Sequence, residues 1–363
     1  MTQIFGADLI GKRESVTDQM LLLNPHTTPL LSMLGFANPI AAVEHNWFED
    51  TMFAQETTVA GAVTNAATTM VVASTEPFRV GAISQVGEEL VKVTAINEGT
   101  KTLTVSRGYA GTTPAAVTDG STIEFLYVEG VEGADARSAR SKKRVRKSNL
   151  TQIFDDTVEV SGTAAAVAQY GITDLYEYEK AKKIQELSLQ LEKAMIGGIK
   201  NENGNIRQMA GLRSMIQTNV KDAAGAALSL NILNDSLQAI YEKGGFATGG
   251  NFEVIVPAKQ KRAVGTFDKN LINIDSDDQR RGTVVSRLIT DFGEFPVSIN
   301  NNLNADELMI IDKNRTQIHA LNGREFGHEY LGKRGDYYQG MIVGEYTLEL
   351  HQEQAHSRIK GLA

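Results

Sequence analysis

The sequence predicts an α+β fold that carries an N-terminal arm and an inserted small all-β domain. Three observations predict it. One long stretch, residues 174–200, keeps apolar side chains at three- and four-residue steps. Short Thr/Val-rich runs separated by turn signals fill Thr57 to Tyr127. Strand and helix patterns then alternate from Ile232 to the last strand pattern, Gly340 to Leu350.

Residues 1–54 read as an arm. Asn24-Pro25-His26-Thr27-Thr28-Pro29 interrupts a short helical pattern running from Thr17 to Leu23, and Pro39 breaks the chain again. His45-Asn46-Trp47-Phe48 reads as a strand whose tryptophan, the only one in the chain, pins the arm to a surface. Residues 55–128 form the β domain, with strands expected at Thr69–Ala73, Ala82–Val86, Leu90–Ile96, Thr102–Ser106 and Thr122–Leu126. Gly87-Glu88 and Asn97-Glu98-Gly99-Thr100 supply hairpin turns. Residues 129–160 return through a basic segment into a strand, Leu150–Val160.

Thr173 or Asp174 can cap the long helix, whose face is Leu175, Tyr178, Ala181, Ile184, Leu187, Leu191 and Met195. Glu179 and Lys183 stand in the favourable i,i+4 order. Gly197-Gly198 weakens the last turn, and Asn201-Glu-Asn-Gly204 ends it. A helix from Ile232 to Lys243, a buried strand Phe252–Val256 and a helix begun by Pro257 and reaching Phe267 come next. A polar loop, Asp275 to Gly282, and strands Pro296–Ile299 and Glu307–Ile311 precede the closing strand, which alternates Tyr346, Leu348, Leu350 with Thr347, Glu349, His351.

The chain of 363 residues is long enough for two or three domains, and it has no cysteine, which excludes disulfides and thiolate metal sites. The first ten residues lack a basic segment followed by an apolar one, and no apolar run is long enough to span a membrane. Net charge is -8. Arg137 to Lys147 carries seven of the basic residues and no acid, so the rest of the chain has 29 basic against 44 acidic residues. Such a body repels duplex DNA. The basic segment, without interleaved aromatics, reads either as a solvated loop or as a contact with an acidic copy of the same chain. On the second reading Arg140, Lys142, Lys143, Arg144 and Arg146 lie on an adjacent subunit.

The search for chemistry comes back empty. Gly327 to Arg334 matches a phosphate-loop spacing except that Arg334 replaces the magnesium-holding hydroxyl. Asp275, Asp277 and Asp278 start like a calcium loop, but Arg280 stands where glycine is needed and Ser286 where the bidentate glutamate is needed. His351 and His356 are too poorly aligned on a strand or a helix for a metal pair, and His26, His45, His319 and His328 are scattered without ligand spacing. No catalytic, cofactor or metal residues are therefore assigned.

These elements in this order resemble the Hong Kong 97-like fold of tailed-bacteriophage major capsid proteins. Asn149-Leu-Thr-Gln-Ile-Phe154, Val158-Glu-Val-Ser-Gly-Thr163, Asp291-Phe-Gly-Glu-Phe295 and Gly344-Glu-Tyr-Thr-Leu-Glu-Leu350 are similar to structural phrases of phage head proteins. Thr102 to Thr113 resembles a small β module found within phage head and tail proteins. The resemblance implies an arm (1–54), an extended loop holding the β domain (55–128) and its return leg (129–160), a peripheral domain (161–225 and 335–363) with spine helix 174–200, and an axial domain (226–334). It implies a structural subunit and not an enzyme: copies form hexamers and pentamers in an icosahedral or prolate shell around double-stranded DNA. Portal and scaffolding proteins are the other implied partners, with assembly in the host cytoplasm, residence in the virion and no membrane contact. An encapsulin-type compartment shares the fold, and a tail or adhesion protein shares the β module; cargo-enzyme genes nearby would mark the first, fibres or rings the second.

Overall fold

The computed structural model describes residues 27–167, 172–247, 249–267, 287–333 and 335–363. They divide into two units, Phe48–Val145, and Arg146–Ala363 together with the chain up to Trp47. Strands Glu44–Glu49 and Val145–Leu150 pair where the chain passes from one unit to the other and back.

The smaller unit is a six-stranded sheet in the order Glu56–Thr58, Thr122–Val128, Ala82–Val86, Glu89–Asn97, Thr102–Ser106, Thr69–Val71. Every neighbouring pair is antiparallel. A bridge between Val59 and Val72 joins the two ends of the sheet, with Ala60 N donating to Val71 O at 2.8 Å and Ala73 N to Thr58 O at 2.9 Å. The sheet therefore closes on itself and leaves no long edge for a foreign strand. Its interior is filled by Val59, Met70, Val72, Val91, Val93, Leu103, Val105 and Ile123, supplied by every second residue of the longer strands. The five strands expected from the sequence are present; the sixth, Glu56–Thr58, is too short to show an alternation.

One buried ion pair holds the loops of this unit. Arg107 Nε and Nη2 lie 2.7 and 2.6 Å from the two oxygens of Glu89, which also accept from Gly108 N and Ala115 N. Burial pushes the Glu89 carboxyl up, but these donors outweigh it and hold the group below its usual value.

In the larger unit the long helix runs Leu175–Gly197, about 35 Å at 1.5 Å per residue. The Asp174 carboxylate caps it, accepting from Tyr176 N at 2.9 Å and Glu177 N at 3.2 Å. Its buried side, Leu187, Leu191, Met195 and Ile196, packs with Phe154, Val158 and Val160 of strand Gln152–Ser161 and with Ile342, Tyr346, Leu348 and Leu350 of the closing strand, Tyr337–Leu350. Each such side chain contributes roughly 2 kcal/mol when fully buried. Gly198 has a packing reason beyond ending the helix. A Cβ there would stand 2.5 Å from both Ala194 O and Met209 O, so the helix end and the returning chain touch backbone to backbone.

The closing strand is the centre of a four-stranded sheet. Gln152–Ser161 lines one of its edges, while Gly327–Lys333 and then Thr316–Ala320 line the other, all antiparallel. A second sheet has the order Val220–Asp222, Ser357–Lys360, Leu308–Asp312, Phe252–Val256, Gly293–Ile299, Arg287–Thr290. Its two central strands are buried at every position. Val254, Val256, Leu308 and Ile310 face a core built with helix Leu230–Glu242, whereas Ile255, Met309 and Ile311 face the core of the long helix. That is why these strands read as unbroken apolar runs in the sequence.

A buried carboxylate ties the first described helix, Pro29–Leu34, to this frame. Glu192 Oε1 accepts from Leu30 N at 3.0 Å and from Asn300 Nδ2 at 2.6 Å, and Oε2 accepts from Leu31 N at 2.9 Å. Burial pushes its pKa up, against the pull of those donors. Pro29 opens this helix instead of merely interrupting the chain, because the first helical position needs no N–H.

Other expectations shift for local reasons. Pro257 is the cap, and its helix, Ala258–Val264, stops at Gly265 short of Phe267. Lys183 pairs with Asp156 at 2.9 Å and Glu186 at 3.0 Å instead of Glu179, because strand Gln152–Ser161 presents Asp156 under the helix. Asn201–Asn203 and Ile206–Gln208 form a hairpin, where Gly204 takes φ +58 in the two-residue turn. Gly327–Lys333 is a strand, so the phosphate-loop match has no loop behind it. The Thr17–Leu23 helix, the Asp275–Gly282 loop and its calcium-like acids lie outside the described residues.

Glu192→Ala should lower stability by about 2–3 kcal/mol, since three buried donors lose their acceptor; urea denaturation followed by far-UV circular dichroism measures it. Because the folded pKa of Glu192 lies above its unfolded value, wild type should gain stability relative to Glu192→Gln as pH falls through the raised value and lose it as pH rises again. Arg107→Ala should cost about 3–5 kcal/mol by stranding a buried carboxylate. Hydrogen exchange should then speed up across Ala82–Ser106 and stay unchanged in the long helix.

Candidate functional site

The basic segment is engaged with its own chain over most of its length. In the smaller unit, Arg140 Nη1 donates to the carbonyls of Glu76 and Phe78 at 3.2 and 3.1 Å, and its guanidinium lies 4.0 Å from the centre of the Phe53 ring. Lys142 sits 2.5 Å from Glu76 and donates to Met52 O at 3.1 Å; the Lys142 bond is the leading cause that holds the Glu76 carboxyl below its usual value. Arg144 reaches Asp50 at 3.4 Å with both side chains exposed. In the larger unit, Arg146 donates to Asn46 Oδ1 at 2.7 Å and lies 3.7 Å from Glu44. Lys143 is exposed and makes no ion pair among the described residues. The five cations are thus not one continuous free patch. Exposed pairs of this kind are worth about 0–1 kcal/mol and exchange partners easily.

A second constellation was invisible to spacing arguments. Glu349 lies near the end of the closing strand, His319 on the adjoining strand Thr316–Ala320, and His45 on strand Glu44–Glu49. Glu349 Oε2 is 2.9 Å from His45 Nε2 and 2.7 Å from His319 Nε2, while Oε1 is 2.6 Å from His351 Nε2. His319 Nδ1 lies 2.8 Å from the Asn38 carbonyl, to which it must donate. Burial opposes charge on His319, but Glu349 and Asn38 prevail and raise its pKa. Burial likewise pushes the Glu349 carboxyl up, and the three histidines override it to hold the group well below the usual carboxylate range. Trp47 is buried beside them, with its ring centre 6.0 Å from that of His45 and 6.1 Å from that of His351.

Three of the histidines read as scattered or misaligned therefore converge, although residues 45, 319 and 351 are far apart in the chain. Only the i,i+2 relation of Glu349 and His351 was a local hint. His356 does not join them. It is buried, its Nδ1 accepts from Asp312 N at 3.1 Å, and burial pushes its pKa down to about 4. Its partner in the rejected pair, His351, faces Glu349 instead.

With the fold and these clusters described, comparison with known proteins decides the family. The family model for the SU10 major capsid protein matches residues 3–363. The chain belongs to the SU10 major capsid protein family. It is accordingly a structural, shell-forming component of a bacteriophage head. A curated major capsid protein of Escherichia phage Phieco32 is 41% identical over 68 residues, a match spanning 19% of this chain and 19% of that relative. Among solved structures, one from Microbacterium phage Oxtober96 superposes with TM-score 0.54 at 12% identity, covering 100% of each chain. The capsid of a native GTA particle gives TM-score 0.53 at 13% identity, over 99% of this chain and 97% of that one. At such identities the likeness establishes the fold alone: a mixed α/β capsid type, rich in strands. No described helix of this capsid-family chain is long and apolar enough to cross a membrane.

Proposed function

We propose that this chain assembles with copies of itself, as hexamers and pentamers, into an icosahedral or prolate shell enclosing phage double-stranded DNA, and that it performs no catalysis. The observation that carries the reading is that the long helix and the closing strand share one core in a chain whose whole length fits a major capsid family. In the Hong Kong 97-like layout, residues 1–54 are the arm, 55–128 the β domain of the extended loop and 129–160 its return leg. Residues 161–225 and 335–363 are the peripheral domain, and 226–334 the axial domain. Phe48 and Met52, both exposed, are apolar surface that a neighbouring copy would cover. Interfaces of about 800 Å² per partner, weak singly, add up over a closed shell while letting misplaced copies leave. Portal and scaffolding proteins, and assembly in the host cytoplasm before residence in the virion, belong to the same reading.

Within it, Lys143 and the loosely paired Arg144 lie on acidic surface of an adjacent copy, with Arg140, Lys142 and Arg146 shaping the segment that presents them. Lys143→Glu combined with Arg144→Glu should cut the yield of shells in negative-stain micrographs several-fold and leave the soluble subunit intact. Unaltered assembly would remove this contact from the account. The acidic body also predicts weak interaction with the packaged polymer: gel-shift titration of duplex DNA at physiological salt should show no nanomolar binding by the isolated subunit.

A further inference from the structure

The cluster around Glu349 poses a hydrogen-bond problem. His319 Nδ1 donates to the Asn38 carbonyl, so a neutral His319 turns the lone pair of Nε2 toward Glu349 Oε2, 2.7 Å away. Two lone pairs at that separation require a positive species between them. A proton answers the need at this one nitrogen; a divalent cation answers it and uses the His45 imidazole, which shares the same oxygen, as well. We propose that His45, His319 and Glu349 bind one divalent transition-metal ion, with zinc the best match and water as its fourth ligand.

The chemistry of the donors supports that choice. Two imidazoles and one carboxylate, with a fourth position open to water, make a donor set suited to zinc, and the absence of thiolates disfavours softer ions. One donor atom from each of His45, His319 and Glu349 lies within 4.8 Å of the others. Any two ligand atoms of a zinc tetrahedron stand roughly 3.3 Å apart, so the two imidazoles, 2.9 and 2.7 Å from Glu349, need only a small outward adjustment from it. The Asn38 carbonyl already fixes the ring and tautomer of His319 in the way an outer partner of a metal ligand does. His319 and Glu349 are buried and His45 is partly exposed, which gives an ion a way in. The ion would join three separate strands of the larger unit: the outgoing leg at His45, the strand of His319 and the end of the closing strand. This inference stands apart from the shell reading, because it concerns the folded subunit alone.

The single tryptophan supplies a reporter. Full-length protein, stripped with EDTA and dialysed, is titrated with zinc chloride in a calorimeter and separately with cobalt chloride. The expected result is one ion per chain with micromolar affinity or better, a higher melting temperature with zinc, visible tetrahedral cobalt absorption, and quenching of Trp47 emission by cobalt. His45→Ala, at the more exposed end of the three, and Glu349→Gln should each weaken binding at least tenfold, whereas His328→Ala should leave it unchanged. Absence of stoichiometric binding in the wild type, or binding by the His45 and Glu349 variants equal to that of the wild type, would overturn the proposal, and a Glu349 variant that fails to fold leaves the decision to His45→Ala.

Discussion

The fold depends on two strands that have no solvent side. Phe252–Val256 and Leu308–Asp312 are covered on both faces, one face by the helix Leu230–Glu242 and the other by the core of the long helix. Shifting either strand by one residue would exchange the side chains assigned to the two cores, so their register is fixed more strictly than that of a strand with one wet face. Everything else in the larger unit is placed by reference to them. The long helix packs against one side, the chain terminus pairs through Ser357–Lys360, and Asn300, just past a neighbouring strand, reaches Glu192. A wall shared by two cores transmits strain between them, because packed interiors yield little.

Buried carboxylates make the long-range ties that apolar packing leaves unspecified. Glu345 accepts from Thr151 at 2.6 Å, Arg207 at 2.9 Å and Arg324 at 2.8 Å, and Glu307 gathers Arg213 and Arg358 at 2.6 and 2.5 Å. Each joins segments that are remote in the chain. Ion pairs of this kind contribute less to net stability than to excluding alternatives, since a misdocked segment would leave a charge buried without a partner. The acidic composition is therefore partly internal architecture, with arginines gathered around the buried carboxylates.

Elements with strong local periodicity were legible in the sequence: the long helix with its Asp174 cap, all five expected β-domain strands to within two residues, and the apolar run Phe252–Val256. What escaped was set by distance or by brevity. Glu56–Thr58 and the hairpin around Gly204 are three-residue strands, and Gly327–Lys333 carries exposed side chains with no apolar alternation. The Glu349 cluster escaped because pairing between Gln317 and Glu349, and the return of the arm strand, are products of tertiary structure. The basic segment stood out in composition, yet its partners on the same chain, such as Glu76 and Asp50, could not be read from charge counting.

The closed sheet of the smaller unit has a consequence for evolution. Its entry and exit run through strands Glu44–Glu49 and Val145–Leu150, which are hydrogen-bonded neighbours and hence about 5 Å apart. A self-contained cassette with adjacent ends can be lengthened, swapped or excised with little penalty to the host scaffold, because closing such a gap requires only a tight turn. Diversification of this unit can thus proceed at this junction without touching the buried strands that order the larger unit.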